Sequence, residues 1–327
     1  MSRRPPSLRL YAQRGVAVVT ALLLTTLAVT IVASLFWQQQ VQVRSIENQR
    51  LQLQKDWIMR GALDWASMIL RASGRQFNYD HLGQPWAAPL ADTRLDQYVE
   101  DGQSAGDAGD AVLSGSIIDA QSRYNLNNLS QNGNPVADEV AVYKRLLGYL
   151  HLPTTLATAT AQAIAKSQPI TNPAGQQTAA KSDSSALPLL QVDDLLAVPG
   201  YTPAMVKQLQ DFVVVLPLAG ATMPINANTA PAEVLAARFA DLSLSEANTL
   251  VAARRAAPFL DTTNLSSQMS NLFGKPFSPS ANIAVSSNFF LVYGKIRMGR
   301  AGLNTVSLIQ RPTNNRAGSN IVWIREQ

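Results

Sequence analysis

An α+β fold is expected for this 327-residue chain: a long N-terminal helix packed on an antiparallel sheet, with a large all-helical domain inserted. Three observations lead there. The run from Val16 to Trp37 is apolar and uncharged, and it passes directly into a helix-favouring stretch rich in Gln, Leu, Arg and Lys. Apolar residues between Val136 and Arg255 recur at helical spacing, and from Ile283 onward the chain turns to β-branched and aromatic runs.

The N-terminal run sets the topology. Its 22 residues extend roughly 33 Å as a helix, about the thickness of a bilayer's hydrocarbon core. Arg3, Arg4, Arg9 and Arg14 precede it without an acidic residue, and the first charges beyond it are Arg44 and Glu47. This bias predicts a single-pass protein with a cytoplasmic N-terminus and the rest of the chain across the membrane. A secretory signal peptide is the alternative. Its apolar core is about 7–15 residues and ends in a small-x-small cleavage site, whereas here the helical pattern continues from Gln38 to Arg60.

Composition narrows the function. The net charge of +5 invites a nucleic-acid reading, but residues 1–15 hold four Arg and no acid. Without them 23 basic residues face 22 acidic ones, which removes most of the case for polyanion binding. There is no cysteine, so the fold relies on its core or on bound ions. The two histidines, His81 and His151, are far apart, and no nucleophile, base and orienter group together; an enzyme is not expected.

Along the chain, apolar residues at Val43, Ile46, Leu53 and Trp57, then Ile58, Ala62, Trp65 and Ile69, predict a long helix ending near Ser73-Gly74. Trp57 and Trp65 are expected to pack on a sheet, with a binding surface as the alternative. Residues 75–110 read as irregular. Six acids between Asp92 and Asp110 suit either a solvated loop or calcium, although their spacing matches no calcium loop. Val112 to Asp119 reads as a strand, followed by a turn and an extended segment through Leu129. Helices are expected from Val136 to Leu152 and from Thr155 to Lys166, then a surface loop over 167–188. Between 191 and 257 two small helical hairpins are expected. The first turns at Val198-Pro199-Gly200 and continues from a Thr202-Pro203 cap; the second contains a Ser243/Glu246 capping box. Ile283 to Ile296 reads as one long strand, and Leu303–Gln310 and Asn320–Glu326 as two more around a Gly299-Arg300-Ala301-Gly302 turn.

A basic leader meeting an apolar helix at Gly15-Val16 resembles the layout of type IV prepilins, in which a peptidase cuts after the glycine. The order of leader, membrane helix, strand, helical insertion and closing sheet is similar to the minor pseudopilin K family of the type II secretion pathway. The motifs that carry the likeness are Gly15-Val16, Asp119-Ala120-Gln121 through Asn125-Leu126-Asn127-Asn128-Leu129, Val198-Pro199-Gly200, Ile225-Asn226-Ala227-Asn228-Thr229-Ala230 and Phe289-Phe290-Leu291-Val292. The resemblance implies a pilin-like fold divided into a leader (1–15), a transmembrane helix (16–37), a stem helix with the first part of the head (38–130), an inserted helical domain (131–280) and closing strands (281–327).

It also implies cleavage between Gly15 and Val16, N-methylation of Val16, and a location in the bacterial inner membrane with a periplasmic head. Pilins usually carry glutamate where this chain has Thr20. A carboxylate in hydrocarbon is costly unless paired, and in such filaments it is thought to meet the amine of a neighbour already in place. A subunit that enters first has no such neighbour. The expectation is therefore a tip subunit that starts and caps the pseudopilus. Its implied partners are the I- and J-type minor pseudopilins, the major pseudopilin and prepilin peptidase, and no nucleic acid. Members commonly carry a Trp-Ile-Asp-x-Asp-like acidic segment where this chain has Ala163-Ile164-Ala165-Lys166-Ser167-Gln168. Calcium is thus unsupported, and no cofactor or metal ligand is assigned. Two other resemblances stay open: the paired hairpins resemble helix-hairpin-helix domains of DNA-binding competence proteins, and the whole resembles a type IV pilus minor pilin.

Overall fold

The structure is a computed structural model describing residues 14–94, 111–168, 186–218, 222–275, 282–298, 301–312 and 318–327. Most of the basic leader, the acidic residues from Asp96 to Asp110, most of the expected 167–188 loop and Gly299-Arg300 lie outside them. The chain divides into two units, Met1–Trp57 and Ile58–Gln327.

Helix α1, Arg14–Gln76, begins in the first unit. There it is long and apolar enough to cross a membrane. Its threonines do not interrupt it, because the hydroxyls of Thr20, Thr25, Thr26 and Thr30 each donate to a carbonyl three or four residues back.

In the second unit, the last turns of α1 lie on a five-stranded antiparallel sheet. Its strands are β1 (Leu90–Arg94), β2 (Val112–Asp119), β9 (Phe289–Met298), β10 (Ala301–Gln310) and β11 (Asn320–Glu326), in the order β1-β2-β9-β10-β11. The helix residues that become buried are Met59, Leu63, Ala66, Ser67, Leu70 and Ser73. The expectation that Trp57 and Trp65 cover the sheet is corrected in part: Trp57 is 70% exposed, and Trp65, 46% exposed, lines the flank of the helix–sheet contact with Leu113 and Ile117 and is not part of its buried centre. The buried stripe is turned by one residue, about 100° around the helix. The reason is space. Met59 sits where Gly294 lacks a side chain, since a Cβ there would meet its Cε at 3.0 Å, and Gly294 pairs with Gly115 on the next strand. Small residues at 66, 67 and 73 let the helix approach, which a tryptophan ring would prevent.

Neighbouring strands β2 and β9 are far apart in sequence, and the chain between them forms the helical region. It contains β3 (Tyr124–Asn125), β4 (Ser130–Gln131), β5 (Asn134–Pro135), α2 (Ala137–Tyr149), α3 (Leu156–Ser167) and α4 (Pro203–Leu209). After these come β6 (Val213–Val214), β7 (Ile225–Asn226), α5 (Ala232–Arg238), α6 (Leu244–Ala256), α7 (Thr262–Phe273) and β8 (Ile283–Ala284). One continuous apolar cluster, including Tyr124, Leu146, Leu195, Leu209, Leu235, Leu250, Phe259 and Leu265, forms its core. The segment Val192–Ala197 is a 3-10 helix, Thr202 caps α4, and Ser243 and Glu246 form the expected capping box.

Three elements differ from expectation. Leu90–Arg94, in the stretch read as irregular, pairs with β2 as an edge strand. The run from Ile283 to Ile296 is broken: β8 pairs in parallel with β7, and the chain then enters the main sheet at Phe289. Helix α7 was not anticipated, although Asp261 caps its start and Gly274 its end in the left-handed conformation.

Candidate assembly sites

Gly15 and Val16 fall in the first turn of α1. Val16 is exposed, and its carbonyl accepts a hydrogen bond from the Thr20 hydroxyl at 3.0 Å, which also reaches Ala17 O at 3.0 Å. The side chain of Thr20 is therefore satisfied by its own helix. It carries no charge to seek a partner in hydrocarbon.

A second assembly lies in the head, where two quoted motifs meet. Asp119 ends the inner strand β2 and is buried. Its Oδ1 accepts from Gln121 N at 2.8 Å; its Oδ2 accepts from Asn226 Nδ2 at 2.9 Å, Ser287 Oγ at 2.7 Å and Thr229 Oγ1 at 2.5 Å. Burial pushes this carboxyl up to about 6. The Thr229 and Ser287 hydroxyls oppose the rise, nearby Asp80 adds to it, and Gln121 N opposes it. Asn226 also donates to Asp80 O at 3.3 Å and Ser287 Oγ at 3.0 Å, so its two amide hydrogens are shared among three acceptors. Sheet and helical region are joined here by side chains standing in for backbone pairing.

The other asparagines of these motifs do the same work. Asn125 exchanges bonds with Leu216 N and O, Asn128 with Met223 N and O, and Asn228 with Phe259 N and O. Each side-chain amide thereby mimics a peptide group and satisfies backbone that no ladder reaches. Next to the junction, Arg311 pairs with buried Asp80, donates to Leu70 O at 3.2 Å and Ser287 O at 2.6 Å, and lies over the Phe290 ring at 4.9 Å. One guanidinium thus ties the end of α1 to the sheet.

Sequence reasoning missed Asp80, Ser287 and Arg311, whose side-chain hydrogen-bond partners include groups 24 to 241 residues away, and Ser287 falls inside the run read as one long strand. Asp119, Asn226 and Thr229 were visible only as members of motifs. Of the acids considered for calcium, Asp92 pairs with Arg297, and Asp96, Glu100, Asp101, Asp107 and Asp110 lie outside the described residues. Among the described residues no three His, Cys, Asp or Glu side chains form a cation-holding group. His81 stacks on Tyr79 at 5.6 Å and accepts from Gly83 N at 3.2 Å, and burial lowers its pKa.

A membrane-length helix, an antiparallel sheet under its last turns and a helical region between two of the strands make an α+β, pilin-like fold. Family models described as "Type II secretion system (T2SS), protein K" match residues 122–218 and 225–285, which contain Asn125, Asn128, Asn226, Asn228 and Thr229. The Pseudomonas aeruginosa type II secretion system protein K is 28% identical over 322 residues, covering 91% of this chain and 89% of that protein. The Klebsiella pneumoniae protein K is 26% identical, covering 92% and 93%. The fold also matches a chain in the crystal structure of the GspK-GspI-GspJ complex from the type 2 secretion system of enterotoxigenic Escherichia coli. That match has a TM-score of 0.64 and 22% identity, and covers 87% of this chain and 99% of that one. Together these matches support the minor pseudopilin K family of the type II secretion system for this chain.

Proposed function

We propose that this protein is the tip subunit of a type II secretion pseudopilus, where it starts assembly and caps the filament for export of folded proteins across the outer membrane. In this reading residues 1–15 are a leader removed by prepilin peptidase between Gly15 and Val16, and Val16 is then N-methylated. Residues 16–37 anchor the chain in the inner membrane, with the head (38–130 and 281–327) and the inserted domain (131–280) in the periplasm. The observation that carries the reading is Thr20, whose hydroxyl is occupied by Val16 O and Ala17 O at a position where pilins usually carry glutamate. Lacking the acid, the subunit needs no amine below which to dock, while its own freed amine at Val16 can receive the acid of the next subunit.

The I- and J-type minor pseudopilins are the proposed neighbours, as in the Escherichia coli complex named for GspK, GspI and GspJ. The major pseudopilin follows below them, and the helical domain leaves no room for a subunit above. The role is structural, without catalytic or nucleic-acid chemistry. Mass spectrometry of the mature N-terminus tests the processing step. A methylated Val16 is expected; an intact Met1, or a cut beyond residue 30, would remove its basis.

A further inference from the structure

On the sheet face opposite α1, a cleft of about 760 Å³ opens between β2, β9, β10 and β11 on one side and the chain around residues 190–193 and 210–215 on the other. Such a volume suits a small ligand. Two aromatic rings, Tyr293 on β9 and Trp323 on β11, line it and are only partly buried. They stand two strands apart, roughly 10 Å across the sheet. Above them the lining changes to planar polar groups. Gln210 donates to Asp193 at 3.2 Å, Arg123 pairs with Asp211 at 3.5 Å, and Arg325 lies over Trp323 at 4.1 Å while donating to Leu190 O at 2.8 Å.

These features select among ligand classes. Two guanidinium groups and three carboxylates line the cleft, a near balance that disfavours phosphate-rich polyanions. An added peptide strand needs an open backbone edge, but β2, β9 and β10 are paired on both sides. The one free edge among the lining strands, on β11, directs its backbone groups in the plane of the sheet, away from the cleft floor, which presents only side chains. An amphipathic helix would set its apolar face against a polar rim. A sugar chain fits both parts, since pyranose C–H faces lie on aromatic rings and hydroxyls exchange bonds with amides, carboxylates and guanidinium groups.

We propose that this cleft binds a short neutral glycan of two or three pyranose units, with Tyr293 and the Trp323–Arg325 stack as platforms and Gln210 and Asp193 reading hydroxyls. This inference is independent of the tip assignment. The test is saturation-transfer NMR on the full chain in a detergent without a sugar headgroup, with cellobiose, maltose and N,N′-diacetylchitobiose as probes. The expected result is transfer to ring protons of at least one probe, with a dissociation constant of ~1 mM, weakened about tenfold by Gln210→Ala. Gln210 is exposed, so that variant should keep the wild-type melting curve; Tyr293→Ala is the second variant, used if its melting curve is also unchanged. No transfer to any probe from the folded protein would overturn the proposal, as would transfer that Gln210→Ala leaves unaltered.

Discussion

Asp119 at the end of an inner strand and Asn226 in the helical region, 107 residues further on, share a buried hydrogen bond of 2.9 Å. Through it the inserted region is fastened to the sheet by polar contacts at a point where no ladder runs. The Asn226 side chain serves four partners, donating to Asp119, Asp80 O and Ser287 Oγ and accepting from Asn228 N at 2.9 Å, and a shorter apolar residue leaves all four without a bond. Asn226→Ala should therefore lower stability by about 2–4 kcal/mol, reflecting several buried groups left unsatisfied. Chemical denaturation of the detergent-solubilised chain measures it, and a change below about 0.5 kcal/mol would contradict the junction's importance.

The same carboxylate sets a pH dependence of unusual sign. Asp119 titrates near 3.8 when exposed and at about 6 when folded. Between those values the folded chain holds a proton that the unfolded chain has released, so this group's contribution to stability falls as pH rises. Most structural carboxylates act the other way. Asp119→Asn will lose bonds at every pH, but the gap between variant and wild type should narrow by on the order of 2 kcal/mol from pH ~4 to ~7. A gap that widens over that interval would show the carboxylate to be stabilised in its charged form.

Arg311 and Asp80 offer a double-mutant test. Arg311→Met leaves Asp80 buried without its cation and should cost about 3–5 kcal/mol. Adding Asp80→Asn should restore part of this, so that the double variant falls short of the sum of the singles. Additive losses would mean that Arg311 acts through Leu70, Ser287 and Phe290 alone.

Two glycines with positive φ separate local strain from crowding. Gly200 has φ of +102°, and a Cβ there would meet Leu156 Cδ2 at 2.8 Å, whereas Gly274 has φ of +67° and open space around it. Gly274→Ala should cost about 1 kcal/mol, the ordinary penalty of the left-handed region, and Gly200→Ala roughly 1–3 kcal/mol. Thermal melts of the two variants decide the order; equal shifts would show that Leu156 moves aside freely.

Elements with a clear period were legible in the sequence. The strands β2, β10 and β11 and the helices α2, α3 and α6 follow alternating or helical spacing. Thr202 marks the start of α4, and Ser243 with Glu246 that of α6, by capping chemistry that depends only on neighbours. What escaped reading depends on distant partners. The buried stripe Met59, Leu63, Ala66 and Leu70 is chosen by the glycine pair Gly115 and Gly294 across the sheet, so the tryptophans, larger and more apolar, misdirected the assignment. Strand β8 pairs with β7, 58 residues away in register (Ile225 to Ile283), beside the point where Asn226 and Ser287 meet Asp119, which no local pattern encodes. For the candidate site, Gly15, Val16 and Thr20 are singled out by their places at the start of the apolar helix and by the resemblance, whereas Asp80 and Arg311 become partners only in the folded head.

Replacing Thr20 with glutamate bears on assembly itself. The substitution should be tolerated or should place the subunit lower in the pseudopilus, detected by cross-linking to its neighbours. Complete loss of tip assembly from this change alone would count against the amine argument.

The most direct measurement is the position of the subunit on isolated pseudopili, read by gold labelling of an epitope on the helical region in electron micrographs. The tip assignment predicts label at one filament end. Label spread along the length, with no preference for the end, would contradict it.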